Sequence, residues 1–600
     1  MNGKADYVFE ISWEVCNKVG GIYTVLESKA ALMKENYKNY ILIGPYFPDK
    51  AKFEFLEKEI PEHFKKTFTQ LNNQGIICKY GSWLVKGEPD VILLDFQGYI
   101  KEKNSLKEKY WNNFKIDSLY TQWEFEEPMI WSTTVGKLLE LFTQINKSTI
   151  VAHCHEWLAG FTLLYLKMNK IKIGTVFTTH ATMLGRVLAA SGSDFYSKME
   201  TINPLDEAKK NGILDKHTTE LACAQNADVF TTVSEITAIE AEKLLGRKAD
   251  ILVLNGLDIG RFPSFEETSV KHQLNREIIR EFISYYFLPY YYFDPEETLT
   301  FFIVGRYEYK NKGIDIFIKS LSQLNERMKK ENSKKTIVVF FWIPRDVLSA
   351  KASLAKNKSN YHHVRDFIDD NIKTTQSRIM ENIMICDKAS CFTDEKNFYQ
   401  HQLFDKEFLS NVRRLRLNFS SVGKPPLTTH DLVNEQEDLI IKSFLEQGLD
   451  NSTKNKVKVI FYPVYLSGID GLIDLPYYDA IMGCHLGLFP SYYEPWGYTP
   501  LESAALGVPS LTTDLGGFGR FVLSQHKGDS GVFVLKRYQR TEEETINSFT
   551  DILHNFSKLD RKGRVDQKLY AKQISNLADW KVFIKNYLEA HTLALQRVYG

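Results

Sequence analysis

The sequence predicts an α/β protein in which helices cover two largely parallel sheets. Strand and helix patterns alternate along most of the chain, and polar residues typical of functional sites follow several predicted strands directly. Such alternation is typical of doubly wound sheets, which bind ligands at the carboxyl ends of their strands. The pattern breaks off near residue 262 and restarts near residue 300, and 600 residues are too many for one hydrophobic core. We therefore expect two domains of this class.

The first half alternates short apolar strands with longer helical patterns. Short apolar runs bounded by turn residues indicate buried strands, whereas apolar residues three and four apart indicate helices. The predicted strands span residues 7–13, 40–43, 91–95, 150–153, 175–179, 229–233 and 251–254, and the predicted helices span residues 23–33, 129–144 and 234–245. We predict an N-terminal domain over residues 1–262.

The second half repeats this organisation after a connector. Residues 262–295 show no clear strand and contain several prolines, so we expect a connector that includes helix. The stretch 344–447 is charged, rich in asparagine and lysine and helically spaced, which predicts an inserted helical subdomain. A C-terminal domain over residues 263–577 and a last helix, about residues 578–600, packed back on the first domain complete the prediction. The predicted strands span residues 300–304, 336–341, 456–461, 486–489 and 510–513.

Composition limits the possible classes of function. Lysine plus arginine, 75 residues, balance aspartate plus glutamate, 75 residues, which argues against general attraction to nucleic acid or anionic membranes. No apolar run reaches about 20 residues, and no apolar segment follows a basic start at the N-terminus, so we expect neither a membrane span nor a secretory signal. Seven scattered cysteines without a CxxC pair fit neither a zinc ribbon nor a disulfide scaffold. The expectation is a cytoplasmic protein.

The run of residues 484–502 is the most informative stretch. A short buried strand is followed by a loop that carries the carboxylate of Glu494. We predict that Thr499 caps the next helix, with Pro500 at its first position and Glu502 completing a capping box. A strand end, an exposed carboxylate and a free helix N-terminus together suit an anionic donor and a developing cation. The competing interpretation is a loop and capping box of any α/β protein.

Two glycine-containing loops carry candidate phosphate-binding cations. Lys18 and Gly21 lie in a turn between strand and helix, where backbone amides favour anions, although structural turns share this pattern. Arg306 and Lys312 lie six residues apart in a loop after the first strand of the second half. Two such cations could clamp a diphosphate and neutralise charge on a leaving group, whereas solvated surface cations are the alternative.

Histidines follow two predicted strands of the first half. His153 and His155 could be taken for metal ligands, but their spacing is awkward for two ligands from one strand and no second ligand cluster stands out, so we predict no metal. His180 ends the next strand, where its ring and carbonyl can point into a cleft, and Arg186 can reach a phosphate; a purely structural histidine is the alternative. Asn255 is either a substrate contact or a turn residue.

These strings resemble glycogen synthases of the animal and fungal type. The resemblance rests on residues 14–26, 153–157, 178–186 and 305–313, and most of all on residues 484–502, whose glutamates match the Glu-x7-Glu motif of retaining glycosyltransferases. It implies the GT-B fold, with two Rossmann-like domains facing a cleft. It also implies transfer of glucose from UDP-glucose to the non-reducing 4-OH of an α-1,4-glucan, with retention at the anomeric carbon.

The resemblance further implies individual roles. Arg306 and Lys312 bind the donor pyrophosphate, and Glu494 and the His180 backbone stabilise an oxocarbenium-like transition state while the leaving phosphate takes the acceptor proton. Whether Glu494 ever bonds covalently to the sugar stays open. The implied catalytic residues are Glu494, His180, Arg306 and Lys312, and the implied substrate-binding residues are Lys18, Gly21, Arg186, Asn255, Tyr477, Trp496, Gly497, Tyr498, Thr499 and Glu502.

In this scheme residues 496–499 supply helix-start amides for the distal phosphate, and Glu502 hydrogen-bonds the ribose. Tyr477 stacks on uracil, although the adjacent Tyr478 leaves the register open. The resemblance implies no cofactor and no metal. The implied partners are UDP-glucose and glycogen or another α-1,4-glucan primer, including a glycogenin-like primer protein, and the insertion 344–447 implies a homo-oligomer, a tetramer as in the family.

Some features depart from the regulated members of that family, which carry an arginine-dense helix for glucose-6-phosphate and a phosphorylated tail. Residues 558–568 are basic but form no arginine cluster, and the sequence ends at Gly600. We hypothesise an unregulated or simply regulated form. The alternatives are an ADP-glucose-dependent synthase, a glucan phosphorylase, a non-catalytic glucan-binding scaffold and an assembly protein that uses the insertion.

Overall fold

Two sheets form the framework of the computed structural model, which describes residues 4–191, 195–385, 404–525 and 528–600. The predicted α/β class is confirmed. The strands of the first half are β1 (Tyr7–Ile11), β2 (Tyr40–Pro45), β3 (Phe55–Glu57), β4 (Ile77–Trp83), β5 (Asp90–Asp95), β6 (Ile150–His155), β7 (Gly174–Thr179), β8 (Val229–Thr232) and β9 (Ile251–Leu252). Those of the second half are β10 (Thr298–Val304), β11 (Thr336–Trp342), β12 (Val347–Ala350), β13 (His430–Leu432), β14 (Val457–Tyr462), β15 (Leu486–Leu488), β16 (Ser510–Thr513) and β17 (Val532–Leu535).

The first sheet has the strand order β3-β4-β5-β2-β1-β6-β7-β8-β9. Neighbouring strands from β5 to β9 run parallel, and β6 and β7 are buried along their whole length, as expected of strands covered on both faces. One edge departs from the parallel prediction, because β4 pairs antiparallel with both β5 and β3. This edge gave no sequence signal, since residues 77–83 mix polar and apolar side chains.

The second sheet is parallel throughout, with the order β14-β11-β10-β15-β16-β17. The strand β17 was not predicted, since it is a four-residue run. A separate antiparallel pair, β12 with β13, stands beside this sheet and was also missed. Large apolar clusters fill the space between each sheet and its helices.

Helices connect successive strands in both halves. In the first half they are α1 (Gly21–Asn36), α2 (Pro48–Glu54), α3 (Glu62–Asn72), α4 (Lys103–Phe114), α5 (Trp123–Ile145), α6 (Glu156–Met168), α7 (Met183–Ala190), α8 (Phe195–Lys198), α9 (Pro204–Lys210), α10 (Leu214–Asn226) and α11 (Glu235–Leu245). In the second half they are α12 (Phe265–Phe287), α13 (Ile314–Lys330), α14 (Ala352–Ile385), α15 (Lys406–Phe419), α16 (Leu439–Glu446), α17 (Tyr477–Met482), α18 (Tyr498–Ala505), α19 (Gly517–Gln525), α20 (Glu542–Lys558), α21 (Arg561–Leu577) and α22 (Trp580–Tyr599). No helix within the described ranges is both long and apolar enough to cross a bilayer.

The connector and the insertion are largely helical. The long helix α12 begins at a capping box, in which Ser264 and Glu267 bond each other's backbone amides, so its start is fixed locally. In the insertion, α14 packs against α15. Cys386, Cys391 and the rest of residues 386–403 lie outside the described residues. The domain boundaries at residues 262 and 577 stay predictions.

The last helix, α22, packs on the first sheet, mainly against β7, and on α1. Trp580 at its start is 1% exposed. Its indole Nε1–H donates to Ser28 Oγ at 2.7 Å, and its backbone N–H donates to the Leu257 carbonyl at 3.1 Å. The end of the chain is therefore part of the core of the first half.

Replacing Trp580 with alanine removes this anchor. We expect Trp580→Ala to lower the free energy of unfolding by about 3–5 kcal/mol, because a large cavity is left in a packed core. Val582→Ala, on the exposed side of the same helix, should change it by less than about 0.5 kcal/mol. Urea titration followed by far-ultraviolet circular dichroism measures both, and equal losses would contradict the anchoring role.

Candidate active site

A lysine–carboxylate pair forms the centre of the candidate site. The loop after β10 carries Lys312, and the loop after β15 carries Glu494. Lys312 Nζ lies 2.6 Å from Glu494 Oε2, and Ser491 Oγ donates to the same oxygen at 3.3 Å. The side chains of Lys312 and Glu494 are 21% and 27% exposed, so a ligand can reach both. Two residues predicted from separate motifs thus meet at the ends of neighbouring parallel strands.

The helix start beside this pair differs from the predicted capping box. The first residue of α18 is Tyr498, and its N-cap is Gly497 in the left-handed conformation, with φ 108°. No side chain caps this helix, so the prediction that Thr499 is the cap is wrong. Pro500 is tolerated because N–H groups of a first turn have no acceptor within the helix. Because no side chain of the described residues caps α18, its first amides are free for an anion.

Arg306, Tyr477 and Thr499 line one cavity of about 460 Å³ together with Trp342. The Arg306 side chain is 83% exposed and pairs with Glu308 at 3.0 Å, so it is not fixed within the protein interior. Three of the predicted donor-binding residues therefore share one opening. Its aromatic walls and single cation suit a planar base joined to phosphate.

The two adjacent tyrosines of α17 both donate to Glu502. Tyr477 Oη lies 3.2 Å from one carboxylate oxygen, and Tyr478 Oη lies 3.0 Å from the other. Tyr477 lines the cavity, whereas the ring of Tyr478 lies 5.4 Å from that of Phe262. Burial raises the pKa of Glu502 to about 7, although the two hydroxyl groups oppose this rise. The carboxylate that the sequence assigned to a cap is thus held by tyrosines.

His180 and Arg186 lie at the end of β7 and on α7. The His180 backbone N–H donates to Glu156 Oε1 at 2.9 Å, and its ring Nε2 lies 2.9 Å from His155 Nδ1. The residue is 7% exposed, and burial holds the pKa of its imidazole well below the usual value. The Arg186 side chain is exposed, and Thr182 caps the helix that carries it. A neutral imidazole and a cation therefore follow the same strand.

The glycine turn before α1 is partly occupied by the protein itself. The Glu14 carboxylate accepts the backbone N–H groups of Gly20 and Tyr23 at 2.9 and 2.8 Å. Gly21 is the first residue of α1, and Lys18 is exposed with Nζ 5.3 Å from the centre of the Tyr23 ring. The turn therefore offers one cation, while two of its amides already have an anion.

Two other predicted contacts have contrasting surroundings. The Trp496 side chain is 3% exposed and packs against Phe521 and Phe583, so its indole belongs to the core rather than to an open cleft. Asn255 is 5% exposed, and its Oδ1 has no hydrogen-bond partner among the described residues. A buried amide oxygen without a partner is costly unless a ligand completes it.

The two halves touch beside the Glu494 loop. Tyr493 Oη donates to Glu240 Oε1 on α11 at 2.9 Å, and Arg520 on α19 donates to Glu235 Oε1 at 2.6 Å. Burial raises the pKa of Glu240 to about 7. These contacts join the loop that carries Glu494 to the half that carries His180.

Sequence inspection missed a buried polar cluster beneath this region. Ligand atoms of Glu10, His153 and His155 lie within 4.8 Å of one another, a spacing that a metal ion could use. However, Lys29 Nζ contacts the Glu10 carboxylate, and His153 Nε2 lies 2.6 Å from Thr178 Oγ1. The ammonium group supplies the positive charge that this carboxylate needs. A glutamate inside an otherwise apolar strand was the signal that could have indicated the cluster.

The basic segment 558–568 has more cations around it in the structure than its own sequence indicates. Arg561, Arg564 and Lys568 of this segment lie on α21 and face α12 across a cavity of about 540 Å³. The hypothesis of an unregulated or simply regulated form considered residues 558–568 alone, whereas Arg276 and Arg280 of α12 add positive charge to the same cavity. The basic residues along its wall are His272, Arg276, Arg280, His485, Arg561, Arg564 and Lys568.

Two largely parallel sheets, with a cation, a carboxylate and a free helix start at the strand ends of the second sheet, are the arrangement of a glycosyltransferase of the GT-B class. The chain belongs to the glycogen synthase family, because the family model described as "Glycogen synthase" matches residues 10–600. The family prediction from the sequence is therefore confirmed.

Relatives from fungi and animals match almost the entire chain. It is 38% identical to the glycogen [starch] synthase of Neurospora crassa over 602 residues, which cover 99% of this chain and 84% of that protein. It is 37% identical to isoform 2 of Saccharomyces cerevisiae, covering 99% of this chain and 86% of that protein. The human liver enzyme is 35% identical, with 99% and 84% covered.

The raised pKa of Glu502 predicts a pH-dependent contribution to stability. Ionisation of a carboxyl group whose folded pKa lies above its unfolded value destabilises the protein as pH rises between the two values. Glu502→Gln should therefore gain stability relative to the wild type between about pH 4.5 and 7, by at most about 1.4 kcal/mol per pH unit. Thermal unfolding across this range measures the difference, with Glu543→Gln on the exposed start of α20 as control. A difference that does not vary with pH would contradict the burial of the charge.

Proposed function

We propose that this chain transfers glucose from UDP-glucose to the non-reducing 4-OH end of an α-1,4-glucan, with retention at the anomeric carbon. The observation that carries the proposal is the Lys312–Glu494 pair at 2.6 Å beside the uncapped start of α18. One cation and several free amides there suit a diphosphate, and one carboxylate suits a sugar that develops positive charge. The names of the relatives support glucan synthesis.

The proposed chemistry follows from these charges. Lys312, Arg306 and the start of α18 offset the charge that grows on the leaving UDP, so the proposal involves no metal and no cofactor. Glu494 stabilises the oxocarbenium-like sugar, and the leaving phosphate takes the proton of the acceptor hydroxyl on the same face. The cavity lined by Tyr477 holds the base, Glu502 the ribose, and Asn255, Lys18 and Arg186 face substrate. Gly21 and the backbone amides of residues 496–499 complete the proposed substrate contacts.

A donor comparison tests this assignment. We expect glucose incorporation into glycogen from UDP-glucose, weaker incorporation from ADP-glucose, and a loss of about a hundredfold or more in Glu494→Ala, because a preorganised charge at the reacting centre is removed. Glu543→Ala, far along the chain in an exposed helix start, is the control.

Other outcomes assign other functions. Preference for ADP-glucose would keep the chemistry and replace the nucleotide. Glycogen binding without transfer from either donor would favour the non-catalytic scaffold.

We propose in addition that the α14–α15 pair mediates a homo-oligomer, a tetramer. The two helices border an apolar groove of about 490 Å³ with Phe367, Ile368, Ile372 and Phe408 in its walls. Ile368 and Ile372 are 50% and 47% exposed, and clustered exposed apolar side chains can form an interface between subunits. We also propose that the protein uses a glycogenin-like primer protein. We propose a cytoplasmic location, in keeping with five free cysteines in the described residues.

The oligomer proposal predicts a change in mass. Ile368→Glu with Ile372→Glu should convert a tetramer into smaller species in light scattering after size-exclusion chromatography, because charges would be buried at the interface. Asp369→Ala and Asp370→Ala, which replace exposed polar residues on the same helix, should leave the mass unchanged. A monomeric wild type would contradict the proposal.

A further inference from the structure

A chain of buried polar groups leads from the interior of the first sheet to His180. Glu10 on β1 and Lys29 on α1 are both fully buried and in direct contact, and the Tyr40 hydroxyl donates to the other carboxylate oxygen. Glu10 Oε1 also lies 2.6 Å from His155 Nε2. The other nitrogen of that ring, His155 Nδ1, lies 2.9 Å from His180 Nε2. Lys29, Glu10, His155 and His180 thus form one continuous row, with the Tyr40 hydroxyl bonded to Glu10 at its side.

The sheet fixes the spacing of this row. Lys29 comes from α1. The other members come from β1, β6 and the end of β7, which are neighbouring parallel strands in register, with Glu10 opposite His153 and His155 opposite Thr178. Neither Glu10 nor His155 exceeds 1% exposure. Two charged groups and a histidine buried to this degree are costly unless every hydrogen bond is made. The row is therefore a specific arrangement and not a chance surface contact.

The direction of each hydrogen bond follows from the charge of Glu10. Burial acts to raise the pKa of this carboxyl group, but Lys29 and the bond from His155 outweigh it and hold the pKa well below its usual value. An ionised carboxylate can only accept, so His155 Nε2 carries the proton that it donates to Glu10. Burial lowers the pKa of His155, so the ring is neutral and its Nδ1 is an acceptor.

The same logic determines the tautomer of His180. Because His155 Nδ1 accepts, His180 Nε2 must carry the donated proton. Burial also keeps His180 neutral, so its Nδ1 has a free lone pair. Among the described residues no group bonds to that nitrogen, and it is not one of the fully buried unpaired atoms. His180 therefore offers a hydrogen-bond acceptor, and not a donor, toward ligand.

A metal ion is the competing occupant of this cluster. Its ligands would be Glu10, His153 and His155, which lie close enough together. Lys29 already lies against the carboxylate, and its charge would repel a cation at that position. His153 also has its own partners, Thr178 at 2.6 Å and His591 at 3.1 Å. The geometry favours a hydrogen-bonded row over a metal centre.

We propose that Lys29, Glu10 and His155 are positioning residues that hold His180 in the Nε2–H tautomer, so that its Nδ1 accepts a hydroxyl group of the sugar substrate. The inference rests on the proposed function, because it assumes that His180 contacts substrate. A ring fixed in the other tautomer would present a proton where the hydroxyl needs an acceptor, and alignment within the reactive geometry would be lost.

Two substitutions of His155 separate this role from a purely structural one. His155→Asn places its amide oxygen near the former Nδ1 and still accepts from His180, whereas His155→Leu fills similar space without an acceptor. Both leave the Glu10–Lys29 pair intact. We expect His155→Leu to lower kcat by at least about tenfold and His155→Asn to stay within about threefold of the wild type. Unfolding temperatures of both variants are recorded alongside.

Nitrogen-15 spectra of histidine-labelled protein provide a readout independent of activity. The signals of His180 are assigned by difference from His180→Gln. In the wild type and in His155→Asn we expect a protonated Nε2 and an unprotonated Nδ1, and in His155→Leu a mixture of tautomers.

Each contrary outcome overturns a different part. A protonated Nδ1 in the wild type would overturn the proposed row, and so would losses of activity in both variants that simply follow their unfolding temperatures. If His180→Ala transfers glucose at the wild-type rate, the proposed substrate contact fails, although the spectra still decide the tautomer. If the wild type transfers no glucose from UDP-glucose or ADP-glucose, the proposed function fails independently of the row.

Discussion

The loops that follow parallel strands all emerge at the same edge of the sheet. The candidate site depends on this constraint in both halves. His180 follows β7, and Lys312 and Glu494 follow the neighbouring strands β10 and β15. Glu494 is thereby brought to Lys312, 182 positions earlier in the chain, and the contact of Tyr493 with Glu240 joins this loop to the half that carries His180. The ion pair of Lys312 and Glu494 at 2.6 Å is the most direct product of this arrangement. Crossover helices bury both faces of the sheets, so only the strand ends remain available for chemistry.

Two lysine–glutamate pairs in this protein have opposite surroundings and therefore different uses. Lys29 and Glu10 are wholly inside the first sheet, where a charged pair is tolerated because further hydrogen bonds complete it. Lys312 and Glu494 are partly exposed, so their ion pair can open and each side chain can contact a ligand instead. The first pair can only orient its neighbours, whereas the second can meet a diphosphate and a sugar. Burial, and not residue type, separates the positioning pair from the reactive pair.

The parallel strands could be predicted from the sequence because burial on both faces produces continuous apolar runs. The ends of β2, β7 and β16 were predicted to within two residues. The antiparallel edge at β3 and β4 could not be predicted from the sequence, because half-exposed strands carry both polar and apolar residues and tertiary contacts set their pairing. Likewise, local spacing suggested that Thr499 caps α18, but a left-handed Gly497 and the distant hydroxyls of α17 decide how that segment folds.

The candidate site shows the same limit. Motifs indicated Glu494, Lys312, His180 and Arg306, because each follows a strand. They did not indicate the row beneath His180, whose members come from β1, α1 and β6 and meet only in three dimensions. Nor could they show that the Trp496 indole lies in the core.

The configuration of the newly formed linkage tests the central claim most directly. The wild-type protein is incubated with UDP-glucose and a short maltooligosaccharide, and proton NMR follows the anomeric signal of the added glucose from the first turnovers. Face-retaining transfer at the Lys312–Glu494 site predicts an α-1,4 linkage that Glu494→Ala does not form. A β linkage, or an α linkage formed equally well by Glu494→Ala, would contradict it.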